Sequence, residues 1–318
     1  MNDLTGKRIL VTGGAGLVGS HIVDELVREG AGEIIVFDSL IRGKREHLAG
    51  AQARGKLRLV EGDITDRAAL KEALAGVDYV FHQAGMWLRQ CEADPRRAVE
   101  VNIVGSFNVL EACVEAGVKK VVAASSSSVY GEGLYLPTDE DHPFNNDLFY
   151  GATKVALEQL LRSFHRKYGL DYVAFRYLNV YGPRQPFQAA YMDVIMHFLN
   201  RIEAGESPII HGDGSQSIDL VFVEDVARAN VMAMKSDLTN VALNVAGGKE
   251  TTLKELAELL IRLSGKDLQL VFEPRDSKLV SRRWGCPKKA KKLLGFEVTT
   301  PIEAGMRKVI VWRKGEIQ

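Results

Sequence analysis

The sequence predicts an α/β protein: a doubly wound parallel sheet followed by a smaller α/β lobe. Short apolar runs alternate with amphipathic helical patterns over residues 1–180. The first of these runs leads directly into a glycine-rich turn and a helix. From residue 181 the alternation loosens. We therefore predict a main domain over 1–180, to which 218–248 returns, and a smaller lobe over 181–318.

Apolar runs bounded by turn residues predict the strands, and apolar residues spaced three and four apart predict the helices. We expect strands at 8–13, 33–38, 56–64, 77–85, 119–131 and 171–180, with short ones near 208–212 and 268–274. We expect helices at 16–30, 97–117, 149–169, 252–265 and 301–315. Strands that alternate with helices in this way form a parallel sheet covered on both faces.

The composition is that of an ordinary globular protein. Of 318 residues, 46% are hydrophobic, and 41 Lys and Arg balance 41 Asp and Glu. With no net charge, no overall field favours nucleic acid or a membrane surface. The 3 cysteines lack metal-ligand spacing. No signal peptide or membrane-length apolar run is present. We expect a soluble cytoplasmic protein with no metal, nucleic-acid or membrane partner.

The turn "VTGGAGLVGSH" joins the first strand to the first helix. Glycines at this spacing allow a tight turn and let the backbone approach a pyrophosphate closely. The helix N-terminus adds unpaired N–H groups and a positive dipole end. We predict a dinucleotide-binding Rossmann domain whose phosphate loop comprises Gly13, Gly16, Leu17, Val18 and Gly19.

Asp38, at the end of the second strand, indicates which dinucleotide binds. A carboxylate there accepts hydrogen bonds from the adenosine ribose and repels a 2′-phosphate, which favours NAD over NADP. Asp63 and Ile64, at the end of the third strand, are candidates for holding the adenine or belong to an acidic loop without a ligand. Three basic residues could instead pair with a 2′-phosphate or lie in solvent: Arg42, Lys44 and Arg45.

Tyr150 and Lys154 lie four residues apart at the start of a predicted helix, downstream of the serine run "SSSSVYG" at 125–131. Such spacing is common on helix surfaces. In a dinucleotide-binding fold, however, a tyrosine and a lysine at this spacing can act in catalysis. A tyrosine with a pKa of about 10 needs about 4 kcal/mol of differential stabilisation to act as a base near neutral pH. We expect the Lys154 ammonium and an oxidised nicotinamide to favour the phenolate, and a serine hydroxyl to share its proton.

Taken in order, the motifs resemble those of one known family, and the resemblance covers nearly the whole chain. The family is the extended short-chain dehydrogenase/reductases, specifically the NAD-dependent epimerase/dehydratases of nucleotide sugars, of the UDP-glucose 4-epimerase type. The motifs are "TGGAGLVG", "GDITD", "HQAG", "VNIVGSFNVLEA", "SSSSVYG", "YGATK", "RYLNVYGPR", "GDGSQSIDLVFVEDVA" and "KKAKKLLGF".

The resemblance implies roles for single residues. Ser126, Tyr150 and Lys154 match the family's catalytic positions. Ser126 would also contact the substrate, and Tyr150 and Lys154 would also contact NAD. Asn179 matches the residue that meets the phosphate of the sugar nucleotide, and Arg184 lies where it could reach substrate.

Two further matches leave alternatives open. Asn102 matches a family position near the active site, although it could equally be a helix-packing asparagine. His82 lines the cofactor side in relatives, but we expect a hydrogen-bonded structural histidine.

The resemblance favours a nucleotide-sugar 4-epimerase that inverts C4 through a transient 4-keto sugar with tightly bound NAD. Ser127 and Ser128 stand where the family's dehydratases carry an Asp-Glu pair, and the reductases usually prefer NADP. Decarboxylases of the family share the stretch "YGPR" and stay an alternative, together with dehydratase and reductase activity. A non-catalytic NAD-binding protein is the least favoured interpretation, because Tyr150 and Lys154 are intact.

Substrate recognition departs from the family pattern at several positions. In the loop at 82–91, Met86, Trp87 and Leu88 replace the more usual small and polar residues and could reshape the sugar pocket. Arg283 stands where the epimerases carry the residue that limits sugar size, and an arginine there would suit an acidic sugar or a phosphate. Ile218 stands where relatives carry an arginine for the diphosphate. We expect a UDP-sugar whose diphosphate is held by another cation, the candidates being Arg184, Arg275, Arg282 and Arg283.

We also expect a homodimer, as is common in the family, formed by the helices at 95–117 and 150–168. Both helices carry more apolar residues than one buried face requires, although burial against the sheet is the alternative. The residues are Val99, Val101, Ile103, Val104, Leu157, Leu160, Leu161 and Phe164.

Overall fold

The computed structural model describes residues 2–187, 193–274 and 282–317. Within them, the main sheet has seven strands in the order β3-β2-β1-β4-β5-β6-β11, and every neighbouring pair is parallel. The chain starts in the middle of this sheet and winds first to one edge and then to the other. The predicted doubly wound fold is confirmed.

The strands of the main sheet are rich in valine, isoleucine and aromatic residues and are largely buried, as parallel strands covered on both faces require. They are β1 Arg8–Thr12, β2 Glu33–Asp38, β3 Leu57–Glu61, β4 Tyr79–His82, β5 Lys120–Ser126, β6 Asp171–Tyr177 and β11 Val241–Val245. The shorter strands are β7 Asn179–Tyr181, β8 Ile209–His211, β9 Ser217–Ile218, β10 Leu220–Phe222, β12 Thr251–Thr252, β13 Val271–Glu273 and β14 Arg282–Arg283.

The helices follow the predicted alternation. They are α1 Leu17–Arg28, α2 Ala49–Gln52, α3 Arg67–Ala73, α4 Leu88–Ala93, α5 Pro95–Ala98, α6 Ser106–Ala116, α7 Phe149–Tyr168, α8 Val194–Glu203, α9 Val223–Lys235, α10 Leu253–Ser264, α11 Lys288–Leu294 and α12 Ile302–Ile317. Two 3₁₀ turns lie at Arg45–Leu48 and Ser127–Tyr130. The expected single helix at 97–117 is instead α5, a π-helical segment over Val99–Gly105, and α6.

The segment 218–248 only partly follows its prediction. β11 forms an edge of the main sheet beside β6, and α9 packs against α1. However, β10 pairs with β7 rather than with the main sheet. β7 is the end of the strand expected over 171–180, which is interrupted at Leu178. The boundaries of the two predicted domains stay a prediction.

Three apolar cores hold these elements together. Alternate residues of β1 enter different cores, with Ile9 and Val11 on one face of the main sheet and Leu10 on the other. A third core joins α8, α10, α12 and β10. No helix in the described part of the chain is long and apolar enough to cross a membrane.

Candidate active site

A cavity of about 1120 Å³ runs along the carboxyl ends of the main-sheet strands and on to α8, β8 and β9. Ligands of doubly wound folds bind at this edge. Its lining includes all the site residues predicted from the sequence: Gly13, Gly16, Leu17, Val18, Gly19, Asp38, Asp63, Ile64, Ser126, Tyr150, Lys154, Asn179, Arg184 and Arg283. The fold thus brings residues that are far apart in the sequence to one cleft.

The glycine loop is packed too tightly for side chains. A Cβ on Gly13, whose φ is +67°, would lie 2.7 Å from the Ala84 nitrogen. A Cβ on Gly19 would lie 2.2 Å from the Gly13 carbonyl oxygen. Gly16 is the N-cap of α1 and provides no side-chain cap. Because Gly16, Leu17, Val18 and Gly19 line the cavity, the N-terminus of α1 lies at its wall, where a pyrophosphate can approach the backbone closely.

Asp38 is buried at the end of β2 and is fixed from both sides. Its Oδ2 accepts a hydrogen bond from the Ala15 N–H at 2.9 Å, and its Oδ1 accepts one from the Leu40 N–H at 2.8 Å. Burial raises the pKa of this carboxyl, while the two N–H donors lower it. Each oxygen keeps a lone pair for a further donor, so the carboxylate is placed to receive ribose hydroxyls.

Asp63 and Ile64 line the same end of the cavity, but the Asp63 carboxylate is already engaged. Asp63 pairs with Arg97 and accepts hydrogen bonds from the backbone and hydroxyl of Thr65, both at 2.9 Å. Ile64 is buried in the core beneath α6. These contacts leave Ile64 and the backbone of this turn as the surface available to an adenine.

Lys154 is buried in the second turn of α7, where its ammonium reaches the sheet. Its Nζ donates a 2.8 Å hydrogen bond to the Ala124 carbonyl oxygen and lies 5.6 Å from the centroid of the Tyr150 ring. Burial lowers the pKa of Lys154 to about 8. The ammonium is thus held beside the face of the phenol and anchored to β5.

The contacts of Tyr150 act on its pKa in opposite directions. Burial raises the pKa of Tyr150, because the phenolate loses its hydration, and a hydrogen bond with Ser126 and the charges of Arg42 and Arg283 only partly oppose this. Arg42 and Arg283 are two described cations whose charges act on the phenol. The sequence did not indicate this, because both lie far from Tyr150 along the chain.

Ser126 is the last residue of β5 and caps the following 3₁₀ turn. Its Oγ accepts a hydrogen bond from the Ser128 N–H at 3.1 Å and lies 3.2 Å from the Ser128 Oγ. These bonds fix the Ser126 hydroxyl at the point where it also meets Tyr150. Ser126 is therefore the member of the serine run that is placed to share a proton with the phenol.

A buried ionic network supports α7 one turn beyond Lys154, and sequence reasoning missed it. Glu158 accepts a hydrogen bond from Ser125 at 2.5 Å and two from the Arg176 guanidinium at 3.0 and 2.7 Å. Arg176 also donates to the Tyr130 hydroxyl at 3.0 Å. The spacing of Lys154 and Glu158 along one helix was the available signal.

The contacts of His82 and Asn102 bear on whether each residue has a structural role or lies at the active site. The buried His82 ring is hydrogen-bonded with the hydroxyls of Thr12 at 2.8 Å and Ser106 at 2.9 Å, as a structural histidine would be. Asn102 lies in the π-helical segment. Its side chain exchanges hydrogen bonds with the Met86 backbone at 2.7 and 3.0 Å, and so holds the loop after β4 in place.

Asn179 and Arg184 line the cavity but are partly committed elsewhere. The Asn179 amide donates a 3.1 Å hydrogen bond to the Asp219 carbonyl oxygen. Arg184, with a φ of +69°, forms a 2.7 Å ion pair with Asp24 of α1. Its other terminal nitrogen, Nη1, is buried and has no hydrogen-bond partner among the described residues. Their contacts with substrate stay predictions.

The arginines considered as replacements at Ile218 have different surroundings. Arg282 donates two hydrogen bonds to Glu250 at 3.0 and 2.7 Å, is exposed, and does not line the cavity. The suggestion that it holds a diphosphate is therefore wrong. Arg283, the next residue of β14, does line the cavity. Arg275 lies outside the described residues.

A further contact joins two residues of the cavity lining. The Arg42 guanidinium carbon lies 4.8 Å from the centroid of the Trp87 ring, within range of a cation–π interaction. Arg42 follows β2 and Trp87 follows β4, so the contact spans the end of β1, where the glycine loop lies. We call this pair the Arg42–Trp87 bridge.

The family model for the NAD dependent epimerase/dehydratase family matches residues 9–246. The chain belongs to this family. The match contains the glycine loop, Asp38 and the Ser126–Tyr150–Lys154 group, and NAD is the cofactor. The crowded glycines and the doubly fixed Asp38 carboxylate fit NAD, because they offer bare N–H groups to a pyrophosphate and acceptors to a ribose.

Relatives in this family have several activities. The chain is 36% identical over 322 residues to the UDP-glucose 4-epimerase of Mycolicibacterium smegmatis, covering 98% of this chain and 100% of that one. It is 30% identical over 322 residues to the UDP-N-acetyl-alpha-D-glucosaminuronate decarboxylase of Bacillus cytotoxicus, covering 96% and 97%. Among solved structures, the UDP-N-acetylglucosamine 4-epimerase of Methanobrevibacter ruminantium, in complex with UDP-N-acetylmuramic acid, has a TM-score of 0.93 at 35% identity, covering 98% and 99%.

Proposed function

We propose that this family member is a nucleotide-sugar 4-epimerase that acts on a UDP-sugar and retains NAD through each turnover. The observation that carries the proposal is the chemistry around Tyr150. Among the described residues, the carboxylates that line the cavity are those of Asp38, Asp63 and Asp193, and each is bonded to groups other than Tyr150. A site with one acid–base group can oxidise and reduce C4 but lacks a second group for eliminating water.

Tyr150, Ser126 and Lys154 would each have a separate role in the reaction. Tyr150 accepts the proton of the C4 hydroxyl and later returns it, and Ser126 shares that proton and orients the sugar oxygen. Lys154, anchored on the Ala124 carbonyl, is placed to hold the nicotinamide ribose. When bound, NAD supplies the hydride acceptor and donor for C4. Because the sugar is oxidised and reduced in one cycle, no outside reductant is needed.

The positions that would carry dehydration chemistry hold serines. Ser127 and Ser128 begin the 3₁₀ turn after β5. The Ser128 hydroxyl is hydrogen-bonded with the Ser126 hydroxyl, and neither position carries the carboxyl group that would act as the acid or base. The carboxylates that line the cavity have other partners in the part of the chain that is described: Asp38 with backbone N–H groups, Asp63 with Arg97, and Asp193 with the N-terminus of α8.

A decarboxylase of an acidic nucleotide sugar is the second candidate. It is favoured by the similarity to the Bacillus cytotoxicus decarboxylase and by Arg283 near the reacting group. Decarboxylation also begins with oxidation at C4, so the same Tyr150 and Lys154 would serve it. The two activities differ in their products rather than in their first step.

The test is to incubate the purified protein, without added cofactor, with UDP-, dTDP-, CDP- and GDP-sugars and to resolve the products by NMR. A mixture of C4 epimers, formed without net release of NADH, is the expected result. Release of carbon dioxide with a pentose product would establish the decarboxylase instead. A 4-keto-6-deoxy product would show that elimination occurs without the usual acid pair.

We further propose that the protein is a cytoplasmic homodimer. Two of the residues on the helices expected to pair are strongly exposed in the single chain, Val104 at 49% and Val99 at 44%, and Phe107 beside them is 41% exposed. By contrast, Leu157, Leu161 and Phe164 are buried in the chain's own core and cannot contribute. Sedimentation at micromolar concentration should give the mass of two chains, and Val104→Glu should give that of one.

A further inference from the structure

Two neighbouring arginines of β14 differ in a way that bears on the substrate. Successive side chains of a strand point to opposite sides. Arg282 faces outward and is paired with Glu250 by two hydrogen bonds. Arg283 is half-buried, lines the cavity, and forms no ion pair with a carboxylate within the described ranges. A guanidinium in such a place is costly unless an anion joins it.

The position of Arg283 indicates which part of a nucleotide sugar it would meet. Its charge acts on the Tyr150 phenol, the group that must contact the hydroxyl on C4. In a hexopyranose, C4 lies across the ring from C1, which carries the diphosphate. A cation that lines the same cavity as Tyr150 and acts on its phenol is therefore expected at the C3–C6 side of the sugar rather than at the phosphates.

The charge balance of the cavity supports the same conclusion. Within the described ranges, the acidic residues that line the cavity are bonded to groups other than Arg283, and the acid whose charge acts on Arg283, Glu132, is exposed and does not line the cavity. Arg42 adds a second positive charge that acts on the same phenol. Among the described residues, two positive charges, those of Arg283 and Arg42, thus act at the sugar end of the cavity.

We propose that the hexose of the natural substrate carries a carboxylate and that Arg283 binds it. This inference rests on the proposed function, since it takes Tyr150 to act at C4. The carboxylate is either C6 itself, as in a hexuronate, or part of an acidic ether on O3. Both place an anion on the C3–C6 side, and a bidentate guanidinium contact suits either.

Two matched pairs of sugars test the proposal on the full chain with its bound NAD. UDP-glucuronate and UDP-glucose differ at C6, and UDP-N-acetylmuramate and UDP-N-acetylglucosamine differ at O3. We expect kcat/KM, and binding measured by calorimetry, to favour the acidic member of one pair by about tenfold or more, as one charge-assisted contact implies. The pair that shows the preference identifies the position of the carboxylate.

Substitutions test whether the preference for the acidic sugar comes from Arg283. Arg283→Gln should remove it, Arg283→Lys should keep part of it, and the control Arg282→Gln should leave it unchanged. If Arg283→Gln weakens acidic and neutral sugars equally, Arg283 binds the diphosphate and the proposal is wrong. The preference of the wild-type protein for the acidic sugar can be measured without any variant. The proposal therefore stays testable even if Arg283→Gln does not fold.

The proposal and the proposed function can fail separately. Epimerisation of neutral sugars as fast as acidic ones would overturn the acidic substrate and keep the epimerase. Tighter binding of an acidic sugar that depends on Arg283, together with products other than C4 epimers, would keep the acidic substrate and overturn the epimerase.

Discussion

The cofactor end and the sugar end of the cavity are built in different ways. The cofactor end uses backbone groups of one continuous segment, the glycine turn, together with the Asp38 carboxylate, which is bonded to that turn from the end of β2. The reaction centre uses side chains from β5, α7 and β14, supported from behind by Glu158 and Arg176. A contiguous backbone site can be recognised from its motif, whereas a convergent side-chain site depends on partners that no motif contains.

The sharpest test of this contrast is Tyr150→Phe. Loss of the acid–base group should lower kcat at least about a hundredfold, within the usual range for such groups, while the content of bound NAD stays unchanged. The measurement is turnover of the best UDP-sugar together with the NAD released on denaturation. Tyr168→Phe, an exposed tyrosine at the end of the same helix, is the control.

If Tyr150→Phe turned over at a rate near the wild type, the proposed role of the phenol would be wrong. If it lost NAD as well, the two ends of the cavity would be coupled more closely than their construction suggests.

Glu158→Gln tests the support behind the reaction centre. Removing this charge leaves the buried Arg176 guanidinium without its carboxylate, and we expect the free energy of unfolding to fall by about 3 kcal/mol. Chemical denaturation measures the change. Glu115→Gln, which removes an exposed partner of Arg67 and Lys71, should have little effect. Equal stability of the two variants would show that the buried network is not what holds α7.

The cofactor end is expected to make the protein less stable at acidic pH. Burial lowers the pKa of His82 to about 3 and of His21 to about 4. Between these values and the ordinary 6.5 the unfolded chain binds more protons than the folded chain, so stability falls as the pH falls below 6.5. From pH 6.5 to 5 each histidine should cost about 1–2 kcal/mol of unfolding free energy.

Denaturation at several pH values should therefore give a smaller loss in His82→Asn than in the wild type. The exposed His211→Asn should match the wild-type slope. If the slope is the same in all three proteins, His82 does not set the acid sensitivity.

The smallest effect is expected at the Arg42–Trp87 bridge, which crosses the glycine loop between the two ends. Trp87→Leu removes a contact worth about 0.5–1 kcal/mol and should release NAD about threefold faster. Trp87→Phe, which keeps an aromatic face, should lie between. Release is followed by the NAD left on the protein after timed gel filtration. An unchanged rate in Trp87→Leu would show that the bridge does not retain the cofactor.

The sequence predicted most of the architecture because its signals are local. Strand β1, the glycine loop and α1 are adjacent in the chain, and their periodicity and spacing suffice. The break between β6 and β7, the pairing of β7 with β10, and the π-helical segment were missed, because each arises where tertiary packing overrides a continuous local pattern. The suggestion for Arg282 failed for a related reason. The side of β14 on which the Arg282 side chain lies is set by the pairing of β14 with β9.

By itself, then, the sequence determined the doubly wound fold, the family, the choice of NAD, and the positions of Tyr150 and Lys154, because each depends on the types of neighbouring residues. The tertiary structure decided which charges surround the phenol. Burial raises the pKa of Tyr150, and Arg42, in the loop after β2, and Arg283, in β14, act on it. Electrostatic interactions act through space and strengthen where water is excluded, so their partners are fixed only when distant segments fold together.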